Sequence, residues 1–335
     1  MEDDMAQVDP EAKKPGLRRR MKRVKRAIRR PFEWFGVWLA IAVLSHLSHR
    51  ALFKVADFMA AVGYALDSGG KRRAHDNLKI MYGREIPAGR ERTIVKGSYR
   101  NMARTLAHVF WTCRKARERA AFAGELSGRA DAILSTTRPV ITVSGHIGCW
   151  EILSQLVQLK GIPMTSVAKP IGSDGMTELL MKSRRSIGQN IIPADGAFMP
   201  LLKALKDGGA IGLLTDQAVR PKNGGLWVRY FGIPVPVSAA PAFLSAKSHA
   251  PVAVAWSRPL KDGRYRCEVT KVFEWSKGLD IWLRTQEITG ELESIIRRHP
   301  GIWALNYNCF RKHPKPDELK QLEERERKAF GGDAG

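Results

Sequence analysis

The order of apolar and polar positions changes character near residue 139. Downstream, short apolar runs alternate with amphipathic stretches of helical period. The runs predict strands at PVITVS (139–144), IPMTSVAK (162–169), NIIPA (190–194), AIGLLT (210–215), LWVRYF (226–231), PVAVAWS (251–257) and RYRCEVTKVFEW (264–275). Helices are predicted between most of these strands, with a long one over Ile281–Arg298. Strands that alternate with helices indicate a single layered α/β domain with a largely parallel central sheet.

The N-terminal part has a different pattern. Residues 13–31 are dense in Lys and Arg and contain no acid, and FEWFGVWLAIAVLSHL (32–47) follows them directly. This order predicts a membrane anchor with its basic end in the cytoplasm. A cleaved signal would end in a small-residue cleavage site, which is missing, and a nucleic-acid arm would lack the Trp and Leu block. The apolar run Trp34–Leu44 is shorter than the ~20 residues of a comfortable span.

These patterns divide the chain into four parts. Residues 1–31 form a basic leader that we expect to be disordered, and residues 32–66 form a membrane-anchoring helical segment. Residues 67–315 form one domain of the size of a catalytic unit, and residues 316–335 form a polar tail.

The net charge and the cysteines narrow the classes of partner. A formal net charge of +23 predicts an anionic partner: nucleic acid, anionic lipid or an acidic carrier protein. The four cysteines lie far apart without the C-x-x-C spacing of zinc or redox sites, and we expect them to be reduced thiols.

One stretch carries candidate chemistry: SGHIGCWE (144–151) lies between a predicted strand and a predicted helix. If all of it were helical, His146 and Glu151 would be separated by about 140° around the axis, so His146 must lie in the turn for the two to meet. Glu151 would then orient the imidazole, which would act as general base toward a hydroxyl. A purely structural hydrogen-bonded pair is the alternative. The chain has no G-x-S-x-G elbow and no two-histidine helical metal pattern, so neither a covalent acyl-enzyme nor a metal site is expected.

The same stretch resembles the His-x-x-x-x-Asp/Glu motif of the lysophospholipid acyltransferase superfamily. The wider pattern is similar to its lipid A biosynthesis branch, the lauroyl and myristoyl acyltransferases. Three further stretches carry the resemblance: RRAHDNLKIMYG (72–83), MKSRRSIGQNIIP (181–193) and a longer one that contains the Asp-Gln block (213–255). Residue 218 is Ala where the branch has a polar residue, and WALNYNCFRKHP (303–314) matches the branch's ending only loosely.

The resemblance implies a role for each matched residue. His146 would be the general base and Glu151 its orienting partner. Arg184, with Arg185 as a competitor, would be the functional arginine, and Asp216 and Gln217 would line the acceptor or thioester site. Backbone N–H groups near Gly145 and Gly148 are candidates to stabilise the oxyanion.

The function implied is transfer of an acyl chain from acyl carrier protein or coenzyme A to a hydroxyl of a lipid A precursor, at the cytoplasmic face of the inner membrane. The donor is a co-substrate, and no tightly bound cofactor or metal is expected. The partners would be the lipid acceptor, acyl carrier protein and an anionic phospholipid surface, but not nucleic acid. Two alternatives stay open: acylation of another glycolipid or a lysophospholipid, and a non-enzymatic basic protein that binds membranes or nucleic acid.

Overall fold

The computed structural model describes residues 31, 35–36, 38–134, 139–168 and 174–331 of the 335. Residues 38–44 are helical. The helices that follow are α1 (His49–Leu66), α2 (Ser68–Tyr82), α3 (Ala88–Thr112), α4 (Ala116–Ala123), α5 (Gly128–Leu134), α6 (Trp150–Leu159), α7 (Asp174–Arg185), α8 (Phe198–Lys206), α9 (Ala240–Ser248), α10 (Ile281–Arg298) and α11 (Pro316–Phe330). The strands are β1 (Gly124–Leu126), β2 (Val140–Ser144), β3 (Met164–Ala168), β4 (Asn190–Pro193), β5 (Ala210–Leu214), β6 (Gly225–Tyr230), β7 (Ile233–Ser238), β8 (Val252–Pro259) and β9 (Tyr265–Phe273).

Seven of the strands form one sheet in the order β1-β9-β8-β2-β5-β3-β4. All neighbouring pairs are parallel except β8 and β9. The predicted α/β fold with a largely parallel central sheet is therefore confirmed. Because every residue of β2 is buried, the centre of the sheet is covered on both faces, as parallel sheets require.

The register of β2 and β5 positions the candidate chemistry. Val140 pairs with Ala210 and Ser144 pairs with Leu214, so the two strands end at the same level. The carboxyl ends of parallel strands meet at one edge of the sheet, where ligands of open α/β folds bind. The loop that carries His146 and the loop that carries Asp216 consequently begin side by side, although β3 and β4 separate them in the chain.

Two C-terminal features differ from the simple pattern. The chain after β6 turns directly into β7, which pairs antiparallel with β6 as a separate hairpin. The prolines of β7 are tolerated because the hairpin has free edges. Residues 316–330, expected as a polar tail, form α11, which buries Leu322 and joins β6 through the ion pair of Arg229 and Glu326.

The N-terminal helices pack partly into the domain. Helix α1 buries Leu52, Phe53 and Ala56 in a core cluster shared with β2 and α6. Its other face is exposed, with Phe58, Met59 and Leu66 among the apolar side chains there. Within the residues that the structure describes, no helix is both long and apolar enough to cross a bilayer. The predicted basic leader lies outside the described residues, apart from Pro31.

Candidate active site

His146 lies in the turn after β2, as predicted, and its side chain meets Asp216 in the turn after β5. The Nδ1 of His146 lies 2.9 Å from Oδ1 of Asp216, and the His146 backbone N–H donates to Oδ2 of the same carboxylate at 2.7 Å. An ionised carboxylate can only accept, so Nδ1 donates, and in the neutral imidazole Nε2 is the acceptor. The His146 side chain is 15% exposed, whereas that of Asp216 is fully buried.

Asp216 stays ionised despite its burial. Burial alone would raise its pKa, but the attraction of His146 and the hydrogen bonds from His146 and Trp303 outweigh burial and lower the pKa below its usual value. A buried carboxylate in this state orients the imidazole and stabilises the imidazolium form.

The geometry of the turn explains why both positions of the motif are glycine. A Cβ at Gly145 would lie 3.0 Å from the Asp216 carboxyl carbon, so glycine lets the aspartate approach the turn. Gly148 has φ of +61°, and a Cβ there would overlap the backbone carbonyl of Ser257. A side chain at Gly148 would therefore be both strained and obstructed.

A segment near the C-terminus completes the surroundings of His146. Ile147 and Trp303 form an antiparallel bridge, flanked by hydrogen bonds from Gly148 to Ile302 and from Ala304 to His146. The rings of Trp150 and Tyr307 contact the imidazole edge-to-face, with centroids 4.8 and 5.1 Å from its own. Three sides of the ring are thus fixed by Asp216, Trp150 and Tyr307.

Glu151 is not the partner of His146, and that prediction is wrong. Its carboxylate is instead paired with Arg184, which donates from Nε at 3.0 Å and from Nη2 at 2.7 Å. Burial raises the pKa of Glu151, but the adjacent guanidinium outweighs it and the pKa is lowered. Burial likewise opposes the Arg184 charge, and Glu151 more than compensates, so the pKa of Arg184 is raised. This bidentate pair connects the start of α6 to the end of α7.

Next to this pair lies a second buried polar contact, which the sequence did not indicate. His108 of α3 meets Gln155 of α6, with Nε2 and Oε1 2.9 Å apart. Burial lowers the pKa of His108, so the imidazole is neutral. Among the described residues, Nη1 of Arg184 and Nε2 of Gln155 have no hydrogen-bond partner.

The other predicted site residues fall in different places. Arg184 is buried at Glu151, whereas Arg185 is exposed, which separates the two competitors by position. The Asp216 side chain is buried behind His146, and its assignment to the acceptor or thioester site stays a prediction. Gln217 is exposed, and its assignment to substrate stays a prediction.

The two oxyanion candidates also separate. The N–H of Gly148 donates to the carbonyl of Ile302 at 2.9 Å, so its assignment is wrong because the donor is already used. The assignment of Gly145 stays a prediction.

Sequence reasoning missed Trp303 and Tyr307, although a signal was present. Both lie in WALNYNCFRKHP, which is unusually rich in aromatic and polar residues for a segment between two helices. Asn77, within the matched stretch 72–83, donates to the carbonyls of Leu305 and Tyr307 and fixes this segment. The contact between Asn77 and this aromatic segment depends on the fold, and the sequence alone does not indicate it.

A partly exposed histidine whose Nδ1 is held by a buried aspartate is the arrangement of an enzyme that removes a proton from a hydroxyl. A family model described as bacterial lipid A biosynthesis acyltransferase matches residues 21–312. The chain therefore belongs to that family, and it is an acyltransferase. Among curated proteins, none matches the chain. Membership in this enzyme family excludes the alternative that the chain is a non-enzymatic binding protein.

Proposed function

We propose that this protein transfers an acyl chain from an acyl thioester to a hydroxyl of a lipid A precursor, with His146 as general base. The observation that carries the proposal is the hydrogen bond between His146 and Asp216 at the carboxyl edge of the sheet. It leaves Nε2 of a partly exposed imidazole as a proton acceptor. Membership in the family supports the acyl transfer and the class of acceptor.

The reaction would proceed in two steps with the same proton. Nε2 of His146 accepts the proton of the acceptor hydroxyl while the hydroxyl oxygen attacks the thioester carbonyl, and Asp216 stabilises the resulting imidazolium. The tetrahedral intermediate then collapses, the carbon–sulfur bond breaks, and the imidazolium returns the proton to the departing thiolate. The products are an ester and a free thiol.

An acyl-enzyme through the nearest cysteine is disfavoured. Cys149 lies three residues from His146 and is buried, and burial raises the pKa of its thiol to about 12. A thiol in this state is a poor nucleophile at neutral pH. Direct attack by the acceptor hydroxyl is the simpler course.

The donor and the acceptor would both carry negative charge. Acyl carrier protein and coenzyme A are anionic, and a lipid A precursor bears phosphates, so a net charge of +23 favours their encounter with this chain. Acyl carrier protein is the donor that the family suggests.

The place of the reaction would be the cytoplasmic face of the inner membrane. The support is the exposed face of α1, on which Phe58, Met59 and Leu66 are more than half exposed. From Phe58 to Leu66 the helix has no charged residue, while Arg50 and Lys54 lie in its first two turns. An apolar face with basic residues at one end is typical of helices that lie in the interface of an anionic bilayer.

Mass spectrometry of the lipid product tests the proposal. Purified protein receives a lipid A precursor, another glycolipid and a lysophospholipid, together with acyl carrier protein loaded with mixed chains. We expect an ester on the lipid A precursor with wild type and none with His146→Ala. An ester on either of the other two acceptors alone would replace the proposed acceptor, and a product from folded His146→Ala would exclude His146 as the base.

A further inference from the structure

Trp303 links the aspartate of the site to the segment that pairs with the histidine loop. Its indole N–H donates to Oδ2 of Asp216 at 2.9 Å, and the residue is fully buried. Its backbone lies in the bridge to Ile147, next to His146. One residue therefore contacts the carboxylate through its side chain and the base loop through its backbone.

The bond is directed at a particular carboxylate oxygen. Oδ2 of Asp216 accepts from Trp303 and from the His146 backbone N–H, while Oδ1 accepts from Nδ1 of His146. With two donors on Oδ2, rotation of the carboxylate about its last torsion would break both bonds. Oδ1 is consequently the oxygen held toward the imidazole.

The position of the indole is itself fixed. Its ring packs against Phe231 and Phe310, and the carbonyl of Trp303 accepts a hydrogen bond from Ser98 on α3. Asn101 of the same helix donates to the carbonyl of Ile302, the residue before Trp303. The donor therefore has little freedom to follow a moving carboxylate.

We propose that Trp303 is a positioning residue for the reaction: its N–H fixes the Asp216 carboxylate so that Oδ1 faces His146 Nδ1. The role rests on the proposed function, since it acts through the base. Trp303 is fully buried, so we expect it to contribute to the rate of proton removal and not to substrate binding.

The bond from Trp303 also affects the pH dependence of the reaction. The titratable groups that face Asp216 are His146, Tyr230, Tyr307 and Cys309. Burial raises the pKa of both tyrosines and of the thiol, so these stay protonated in acid. The bond from Trp303 helps to lower the pKa of Asp216, and its loss would raise that pKa. Without that bond the carboxylate holds more negative charge and favours the imidazolium form, which cannot act as a base, so the loss of activity on acidification would begin at a higher pH.

The test is Trp303→Phe, which keeps an aromatic ring but removes the N–H. Trp282→Phe is the matched control, because Trp282 is also buried and its N–H donates to the carbonyl of Trp227 on β6. For Trp303→Phe we expect kcat to fall by roughly tenfold to a hundredfold, the cost of a lost bond to a charged group, with KM unchanged. The low-pH limb of kcat/KM should move upward, while Trp282→Phe should keep the wild-type profile.

Three outcomes separate the inference from the function on which it rests. A wild-type kcat and pH profile in folded Trp303→Phe, with His146→Ala inactive, overturns only the role of Trp303. An equal loss in both Trp→Phe variants without a change in profile also overturns it, since that result indicates stability alone. Activity of folded His146→Ala overturns the proposed function itself.

If Trp303→Phe does not fold, Phe310→Leu is the second variant, because it alters the packing of the indole without removing the N–H. It should give a smaller upward shift of the low-pH limb of kcat/KM. An unchanged pH profile overturns the role of Trp303.

Discussion

At the scale of residues, Asp216 and Glu151 are two buried carboxylates with different partners. Asp216 pairs with His146, seventy positions away in the chain, and Glu151 pairs with Arg184. The sequence favoured Glu151 as the partner of His146 because the two are neighbours in the chain. His146 and Asp216 each lie just beyond the end of a predicted strand, which was a usable signal. The order of strands in the sheet decides which loops meet, and local pattern does not encode that order.

The glycine after Ile147 gives a prediction at the same scale. Gly148→Ala would force a Cβ against the Ser257 carbonyl at a left-handed φ, and we expect loss of acyl transfer with a lowered melting temperature. Gly83→Ala is the control, because Gly83 has φ of +66° and open space around it. The control should lose only about 1–2 kcal/mol of stability, the cost of the left-handed conformation. Equal losses in the two variants, measured by thermal unfolding and activity, would show that the close approach does not matter.

At the scale of elements, the sequence predicted most strands and helices of the sheet domain, because buried strands and amphipathic helices have distinct periods. It did not predict β7, because the two prolines of that strand are more typical of a turn. It did not predict α11 either, because Leu322 is the residue that this polar helix buries. The anchor was predicted from its apolar composition. In the structure, one face of α1 packs in the core and only the other is free, a division that composition alone does not reveal.

The free face of α1 gives a prediction that concerns the membrane. Phe58→Glu removes an apolar group and adds a charge that anionic lipid repels, so binding to vesicles of phosphatidylglycerol and phosphatidylethanolamine should fall at least about tenfold. Phe330→Glu on α11 is the control, since Phe330 is 63% exposed against 66% for Phe58. Co-sedimentation measures both variants. Equal binding by Phe58→Glu and wild type would contradict a role of this face in membrane attachment.

At the scale of the whole molecule, features that lie far apart in the chain act together. The parallel sheet brings the loops of His146 and Asp216 to one edge. The segment 299–310, which contains Trp303, contacts both loops. Hydrogen bonds from Asn77 of α2 and Asn101 of α3 hold this segment in place. The positive charge and the exposed face of α1 support the proposed anionic lipid environment for the site of His146. The sequence indicated each feature separately, and only the fold shows how the two loops and the covering segment meet.

The most direct test of the catalytic pair is the rate of acyl transfer by Asp216→Asn. Asparagine keeps the shape of the side chain, but its amide can donate to Nδ1, which would place the proton on Nε2 and remove the base. We expect turnover to fall by about 10³–10⁴, the order found when such a carboxylate is replaced by its amide. Asp207→Asn is the control, an exposed carboxylate paired with Lys203. Single-turnover kinetics with folded protein measure both variants. Wild-type turnover in Asp216→Asn would contradict the central claim that Asp216 and His146 form the catalytic base.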